Sequence, residues 1–327
     1  MKKISLIIPV YNVEKYIEEC LISCLEQDIS SDEYEIIIIN DGTQDNSLNI
    51  SVQYANKFKN ISVYTQDNQG LSSARNLGLS LAVGKYVWFI DSDDKIAFNC
   101  LNKITNKCIN EDLDALAICS ANIINDTYLR RYIYYSNDIF QGKDFMMKKE
   151  FQVCVPFTIY RRKFLVENCL KFFHDIFHED SEFSPRSYYL AEKVSSLDDL
   201  FYFVNQNPIS ITRTINPKKS FDLIQVCNNL SDFSESILQK YKYKFDYLIS
   251  MNLNTSLHFT AKMSLNDRDM LNRSIYENRH LFKHLRRSRI MKYKIEGLFF
   301  NLFPKKTIQI YTFLQNLFFF KKYTKRG

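Results

Sequence analysis

The chain is poor in glycine, with seven in 327 residues. None of them builds a G-x-G-x-x-G or a G-x-x-x-x-G-K-[ST] loop. A nucleotide bound here is therefore held neither in Rossmann dinucleotide fashion nor on a P-loop. Glycines this sparse each need a backbone reason. Eight cysteines are scattered and no C-x-x-C occurs, which excludes a zinc ribbon or a disulfide framework and favours a reducing cytoplasm. Cys20 and Cys24, four apart on an apolar helix face, read as core. H-E-x-x-H is absent as well, so His174 and His178 ahead of Glu179 read as loop residues, and His280 and His284 as part of a basic helical face. No internal repeat or low-complexity linker divides the chain. The longest charge-free segment near the end, Thr307–Phe320, has 14 residues, too few to span a bilayer. The opening M-K-K-I-S-L-I-I-P-V starts like a signal peptide. Its apolar stretch is short, ends at a proline and lacks a small-residue cleavage site, so residues 3–10 read as a first strand.

The net charge of +6 hides an asymmetry. Residues 279–327 carry 13 Lys and Arg against one acidic residue, Glu296, a net +12. The remaining 30 basic and 36 acidic residues net −6. A basic groove for nucleic acid across the main domain is excluded, and a local anionic partner for the tail is expected.

What the chain does have is K-Y-V-W-F-I-D-S-D-D, residues 85–94. A run apolar throughout belongs in the middle of a sheet. It drives into Asp91, Asp93 and Asp94, carboxylates that repel one another unless a cation sits among them. Hard oxygen ligands suit Mg²⁺ or Mn²⁺ carrying phosphate oxygens. The plainer reading, Asp94 as N-cap of a following helix, leaves Asp91 and Asp93 unexplained.

Upstream, strands and helices alternate. Residues 3–10, 35–40, 61–64 and 85–90 read as strands. Helices are expected over 13–25 with Asn12 as N-cap, 46–58 and 71–83. The alternation implies a doubly wound, mainly parallel sheet. Further strands are expected at 115–124, 128–135 and 201–204. Beyond Pro217 long helical segments dominate. The strand ends carry Pro9, Tyr11 and Asn12, then Asp41 and Gly42, then the run from Asn68 through Arg75 to Gly78, and finally the carboxylate cluster. In a parallel sheet these ends share one edge and can surround one ligand. A buried Tyr11 would stack on a base, Asp41 would accept from a base N–H or a ribose hydroxyl, and Arg75 would meet a phosphate or hold Asp41 and Asp91 in place.

The segments S-L-I-I-P-V-Y-N, E-I-I-I-I-N-D-G-T, N-Q-G-L-S-S-A-R-N-L-G-L and F-I-D-S-D-D together resemble family 2 glycosyltransferases of the GT-A fold, over about residues 1–215. The resemblance implies a nucleotide-sugar donor, usually uridine-linked, and inversion at the anomeric carbon. It places Asp41 at the base, Asp91 near the ribose and Asp93 on the metal, with Pro9, Tyr11 and Arg75 also on the donor side; Asp91-Ser92-Asp93 would be the D-x-D motif. It also bears on Phe177-His178-Glu179-Asp180-Ser181-Glu182. An inverting transfer needs one base to take the acceptor proton, and the Glu-Asp pair resembles the family's acceptor-side motif. Asp180 is then the base and Glu179 its support; the alternative is acidic residues complementing a helix dipole. Arg213 resembles the end of a family segment that approaches the diphosphate.

These readings give a GT-A domain over 1–215 and a helical region over 216–327. The expected enzyme is cytoplasmic and uses Mn²⁺ or Mg²⁺. Its acceptor is expected to be a cell-surface glycan or lipid-linked oligosaccharide. The basic, phenylalanine-rich tail is expected to lie on the anionic inner face of the cell membrane. A sugar-nucleotide-forming nucleotidyltransferase would need a glycine-rich basic loop after the first strand, which Pro9–Glu14 lacks. A non-catalytic binding module would be expected to have lost Asp93 or the Glu179-Asp180 pair.

Overall fold

A computed structural model describes residues 1–124, 127–130, 138–148, 151–205 and 216–323. The four expected strands are β1 (Ile4–Val10), β2 (Tyr34–Asp41), β3 (Ile61–Gln66) and β4 (Tyr86–Phe89). They pair in parallel in the order β3-β2-β1-β4. β1 and β4 are buried at every position, which is why their sequences are almost wholly apolar, with the buried Ser5 hydrogen-bonded to Glu35 and the Gly84 N–H. Helices α1 (Ile17–Leu25), α2 (Ser47–Lys57) and α3 (Leu71–Leu81) alternate with them. α3 lies so close to β1 that a Cβ on Gly78 would come 2.3 Å from Ile7 Cγ2.

α1 begins a turn later than expected, because Asn12 does not cap it. Asn12 sits at φ +52°. Its Oδ1 accepts from the Gln44 N–H (2.8 Å) and the Thr43 hydroxyl (3.0 Å). The side chain ties the loop after β1 to the loop after β2, a better use of an asparagine in the left-handed region than a cap.

The second half of the sheet is mixed. It contains β5 (Lys95–Ile96), β6 (Ala115–Ile124), β7 (Thr127–Arg130), β8 (Thr158–Arg161) and β9 (Val194–Asn205), with helices α4 (Leu101–Asn110), α5 (Gly142–Phe145), α6 (Arg162–Glu167) and α7 (Glu179–Leu190) between them. The sheet continues from β4 through β8, β6 and β9 to β5, with β7 beside β6. β6 and β9 run with β1 to β4, whereas β5, β7 and β8 run against them, so the sheet is mainly parallel by direction. Of the strand expected over 128–135, the part beyond Arg130 lies outside the described residues. β9 is much longer than the expected 201–204. Its register on β6 jumps from Leu197 to Leu200, which leaves Asp198 and Asp199 as the bulge.

From Lys218 onward the chain is helical: α8 (Lys218–Glu235), α9 (Lys242–His258), α10 (Leu265–Glu277), α11 (Phe282–Arg287), α12 (Met291–Leu302) and α13 (Thr307–Tyr323). The described residues form two compact units. One takes Met1–Asp175 and the stretch from Phe183 through β9; the other takes Ile176–Glu182 and the helices from α8 onward. In the helical unit His284 is buried rather than part of a basic face. Its ring nitrogens meet Asp246 Oδ1 at 2.6 Å and Ser231 Oγ at 2.9 Å. All three side chains are buried, so this Ser-His-Asp set ties α8, α9 and α11 together and offers no entry to a substrate. Burial decides the role of His284, and nothing in its sequence neighbourhood announces it.

Candidate functional site

In the first unit, chain order reverses across the β1–β4 boundary, the place where open α/β sheets hold ligands. The two strands separate there. The Ile7 carbonyl accepts the Ile90 N–H at 2.9 Å on the β4 side. Pro9, two residues on, faces the same way, beyond the last β4 partner. Its missing N–H removes no ladder bond, and a proline is tolerated inside a buried strand. Tyr11 then leaves the sheet. It is 43% exposed, not buried as expected, because β1 has already ended at Val10.

Asp41, the last residue of β2, is buried and organises the loop ahead of α3. Oδ1 accepts from Gln66 Nε2 (2.8 Å) and the Gln69 N–H (2.9 Å), and Oδ2 from the Gly70 N–H (2.9 Å). Gly70 at φ +84° lets that loop turn into the helix. Arg75 on α3 is buried with its guanidinium over the Phe172 ring, and Nη2 donates to Asp91 Oδ1 at 2.8 Å. Of its two expected roles, the visible one is holding Asp91.

Asp91 to Asp94 form one turn, closed by the Asp94 N–H on the Asp91 carbonyl at 3.0 Å. The element after it is β5, so Asp94 caps no helix. Its carboxylate is buried and accepts the Asn205 N–H at 2.9 Å. Burial, then the charges of Asp91 and Asp93, push its pKa up. The Asn205 side chain donates to the Asp93 carbonyl at 2.8 Å. The fully buried Tyr202 brings its hydroxyl to both the Asp91 N–H, at 3.1 Å, and the Asp94 carboxyl. Sequence reasoning missed Tyr202 and Asn205. They lie 111 residues from their partners, at the end of a strand whose bulge obscures its pattern.

A divalent cation fits this donor set in one way. Among the described residues no three His, Cys, Asp or Glu converge on a common point, so the carboxylates described here do not by themselves form a closed cage. Asp94 is buried, whereas Asp93 is half-buried beside the partly open Asp91. One or two carboxylates completed by phosphate oxygens is how Mg²⁺ and Mn²⁺ are ordinarily held.

The acceptor-side segment belongs to the second unit. The Phe177 N–H donates to Asp222 Oδ2 at 2.9 Å, and His178 at φ +63° turns the chain into α7. The His178 ring lies parallel to Phe259, and burial pushes its pKa down. Glu179, Asp180 and Glu182 fill the first turn of α7. Glu179 and Glu182 are buried and Asp180 is partly exposed, so Asp180 is the more accessible carboxylate. Arg213 lies outside the described residues.

The model of glycosyl transferase family 2 matches residues 5–170. The chain is 35% identical over 217 residues to the uncharacterized glycosyltransferase EpsJ of Bacillus subtilis, covering 64% of this chain and 62% of that one. It is 31% identical over 224 residues to a poly(ribitol-phosphate) beta-glucosyltransferase of Bacillus spizizenii, covering 67% of this chain and 35% of that one. It thus spans less than two thirds of the length of these relatives. Its backbone is like that of S. aureus TarS 1-349 in complex with UDP-GlcNAc, with a TM-score of 0.79, 22% identity, and 97% and 91% of the two chains covered. That likeness shows the GT-A fold, and the family match over half the length shows that the chain belongs to glycosyl transferase family 2.

Proposed function

We propose that this chain is a metal-dependent, inverting glycosyltransferase. It moves a sugar from a nucleotide-sugar donor, a UDP-sugar, to a hydroxyl of a cell-surface glycan or lipid-linked oligosaccharide. The observation that carries the reading is the gathering of Asp41, Arg75 and the Asp91–Asp94 turn at the strand ends flanking the β1–β4 opening. Residues 1–215 act as the transferase domain and 216–327 as the helical region. Pro9, Tyr11 and Asp41 receive the base, Asp91 the ribose, and Asp93 the Mn²⁺ or Mg²⁺ that neutralises the departing diphosphate. Arg75 acts from beneath by fixing Asp91. Asp180, with Glu179 beside it in sequence, takes the proton from the acceptor hydroxyl as that oxygen attacks the anomeric carbon. The bond from that carbon to the diphosphate oxygen breaks on the opposite face, and the configuration inverts. No proton is needed by the leaving diphosphate, so one base suffices.

Support for uridine comes from TarS, described with UDP-GlcNAc, and support for a polymer acceptor from the poly(ribitol-phosphate) relative. Among the described residues no helix is long and apolar enough to cross a membrane. The basic, aromatic C-terminal region supports a peripheral place on the inner face of the cell membrane. Calorimetry with UDP, GDP and TDP, each with Mn²⁺ and with EDTA, tests the donor assignment. UDP binding that requires the metal is expected. Metal-independent binding, or equal affinity for all three, contradicts it.

A further inference from the structure

The helical unit narrows that membrane contact to one surface. α12 is apolar on both faces, and among the described residues only one of them is covered. Phe300, with Gly297 and Glu296 on the same side, is buried. On the other side Met291, Leu298, Phe299 and Leu302 are exposed, with Phe303 just beyond the helix. Their spacing of three, four and seven makes them neighbours along one stripe. The charge-free Thr307–Phe320 opens α13, whose Ile308, Tyr311 and Leu314 are buried while Phe313 is exposed, so the side chains described there form no continuous apolar stripe. A stripe of large apolar side chains left in water marks an interaction site.

Its surroundings say what covers it. Arg286, Arg287 and Arg289 are exposed just before α12, Lys294 lies one turn before Leu298, and Lys305 and Lys306 are exposed just after it. Glu296, the sole acidic residue between 279 and 327, is fully buried on the opposite face. Two copies of this surface would bring like-charged rims together, which disfavours a second chain as the occupant. Apolar side chains ringed by cations suit the headgroup and acyl boundary of an anionic bilayer.

We infer that the α12 face, from Met291 to Phe303 with Lys294, Lys305 and Lys306, is the docking surface for an anionic phospholipid bilayer. The inference rests on the peripheral location proposed above. The full-length chain is cosedimented with vesicles of phosphatidylcholine alone and of phosphatidylcholine mixed with phosphatidylglycerol, at low and high salt. Binding only to the anionic vesicles, weakened by salt, is expected. Leu298→Glu with Leu302→Glu should lower partitioning on the order of a hundredfold, and Lys305→Gln with Lys306→Gln on the order of tenfold. The second pair lies on an exposed rim and keeps the test valid if the first pair disturbs folding. Equal binding to both vesicle types, no binding, or unchanged binding by both double variants overturns the inference. So does a concentration-dependent dimer that the leucine pair abolishes while vesicle binding persists. The assay contains no nucleotide, so its failure is distinguishable from failure of the transferase reading, which UDP binding without lipid measures.

Discussion

Asp91, Asp93 and Asp94 share one turn, yet their surroundings assign them different work. Arg75 holds Asp91, Asn205 and Tyr202 hold Asp94, and Asp93 is held by its backbone carbonyl. Tyr202→Phe leaves the Asp91 N–H without its acceptor and loosens the turn. A net hydrogen bond contributes about 1 kcal/mol, so metal-dependent UDP affinity should fall about fivefold while the melting temperature shifts little. Calorimetry at fixed Mn²⁺ reads this; unchanged affinity would make Tyr202 a packing residue only. Asp180→Asn tests the base proposed for the other half of the reaction. It should lower transfer on the order of a hundredfold or more and spare UDP binding, since the base meets only the acceptor proton. Retained turnover would move the base to Glu179. The carboxylates are legible in the sequence because clustered like charges at the end of an apolar run repel one another and call for a cation. Their supports are not, because Tyr202 and Asn205 reach them only through the β5–β9 pairing.

At the scale of elements, the central strands can be read because burial on both faces leaves largely apolar runs, as in Ile36–Ile39, while β3, at the sheet edge, is mostly exposed or half-buried and is read from its β-branched and aromatic residues. β9 cannot be read whole: Asp198 and Asp199 sit where the register slips, and Ser195 and Ser196 are buried without apolar side chains. The start of α1 departs from its expected place because Asn12 serves a loop-to-loop tie. In the helical unit, α12 carries a testable electrostatic strain. Glu296 is fully buried, 2.5 Å from Asn254 Nδ2 and 3.8 Å from Lys292 Nζ. Burial pushes its pKa from 4.5 up to about 7. The unfolded chain releases this proton first as pH rises, so stability is fully present below pH 4.5 and declines as pH climbs toward 7. The decline amounts to about 3 kcal/mol. Glu296→Gln should remove it, gaining on wild type between pH 5 and pH 8. Urea unfolding of both proteins at the two pH values checks this; parallel pH profiles would contradict it.

For the whole molecule, the family motifs and the GT-A fold are visible because the motifs are polar residues set at the ends of apolar strands. The docking stripe on α12 is not, since a residue's exposure depends on which helix packs where. The charge of the tail points to the region, and the exposure of Met291, Leu298, Phe299, Leu302 and Phe303, beside the burial of Ile308, Tyr311 and Leu314, points to α12 within it. The central claim is that the carboxylate turn and the Glu-Asp pair together make a sugar transferase. Its most direct test is nucleotide release from a panel of nucleotide sugars with Mn²⁺ and a glycan acceptor, run for wild type, Asp93→Ala and Asp180→Asn. Wild type should release UDP from one donor, and only with the metal. Asp93→Ala should show no metal-dependent UDP binding or release, and Asp180→Asn should bind UDP without acceptor-stimulated release. Release by all three proteins alike, or by wild type in EDTA, would contradict the claim.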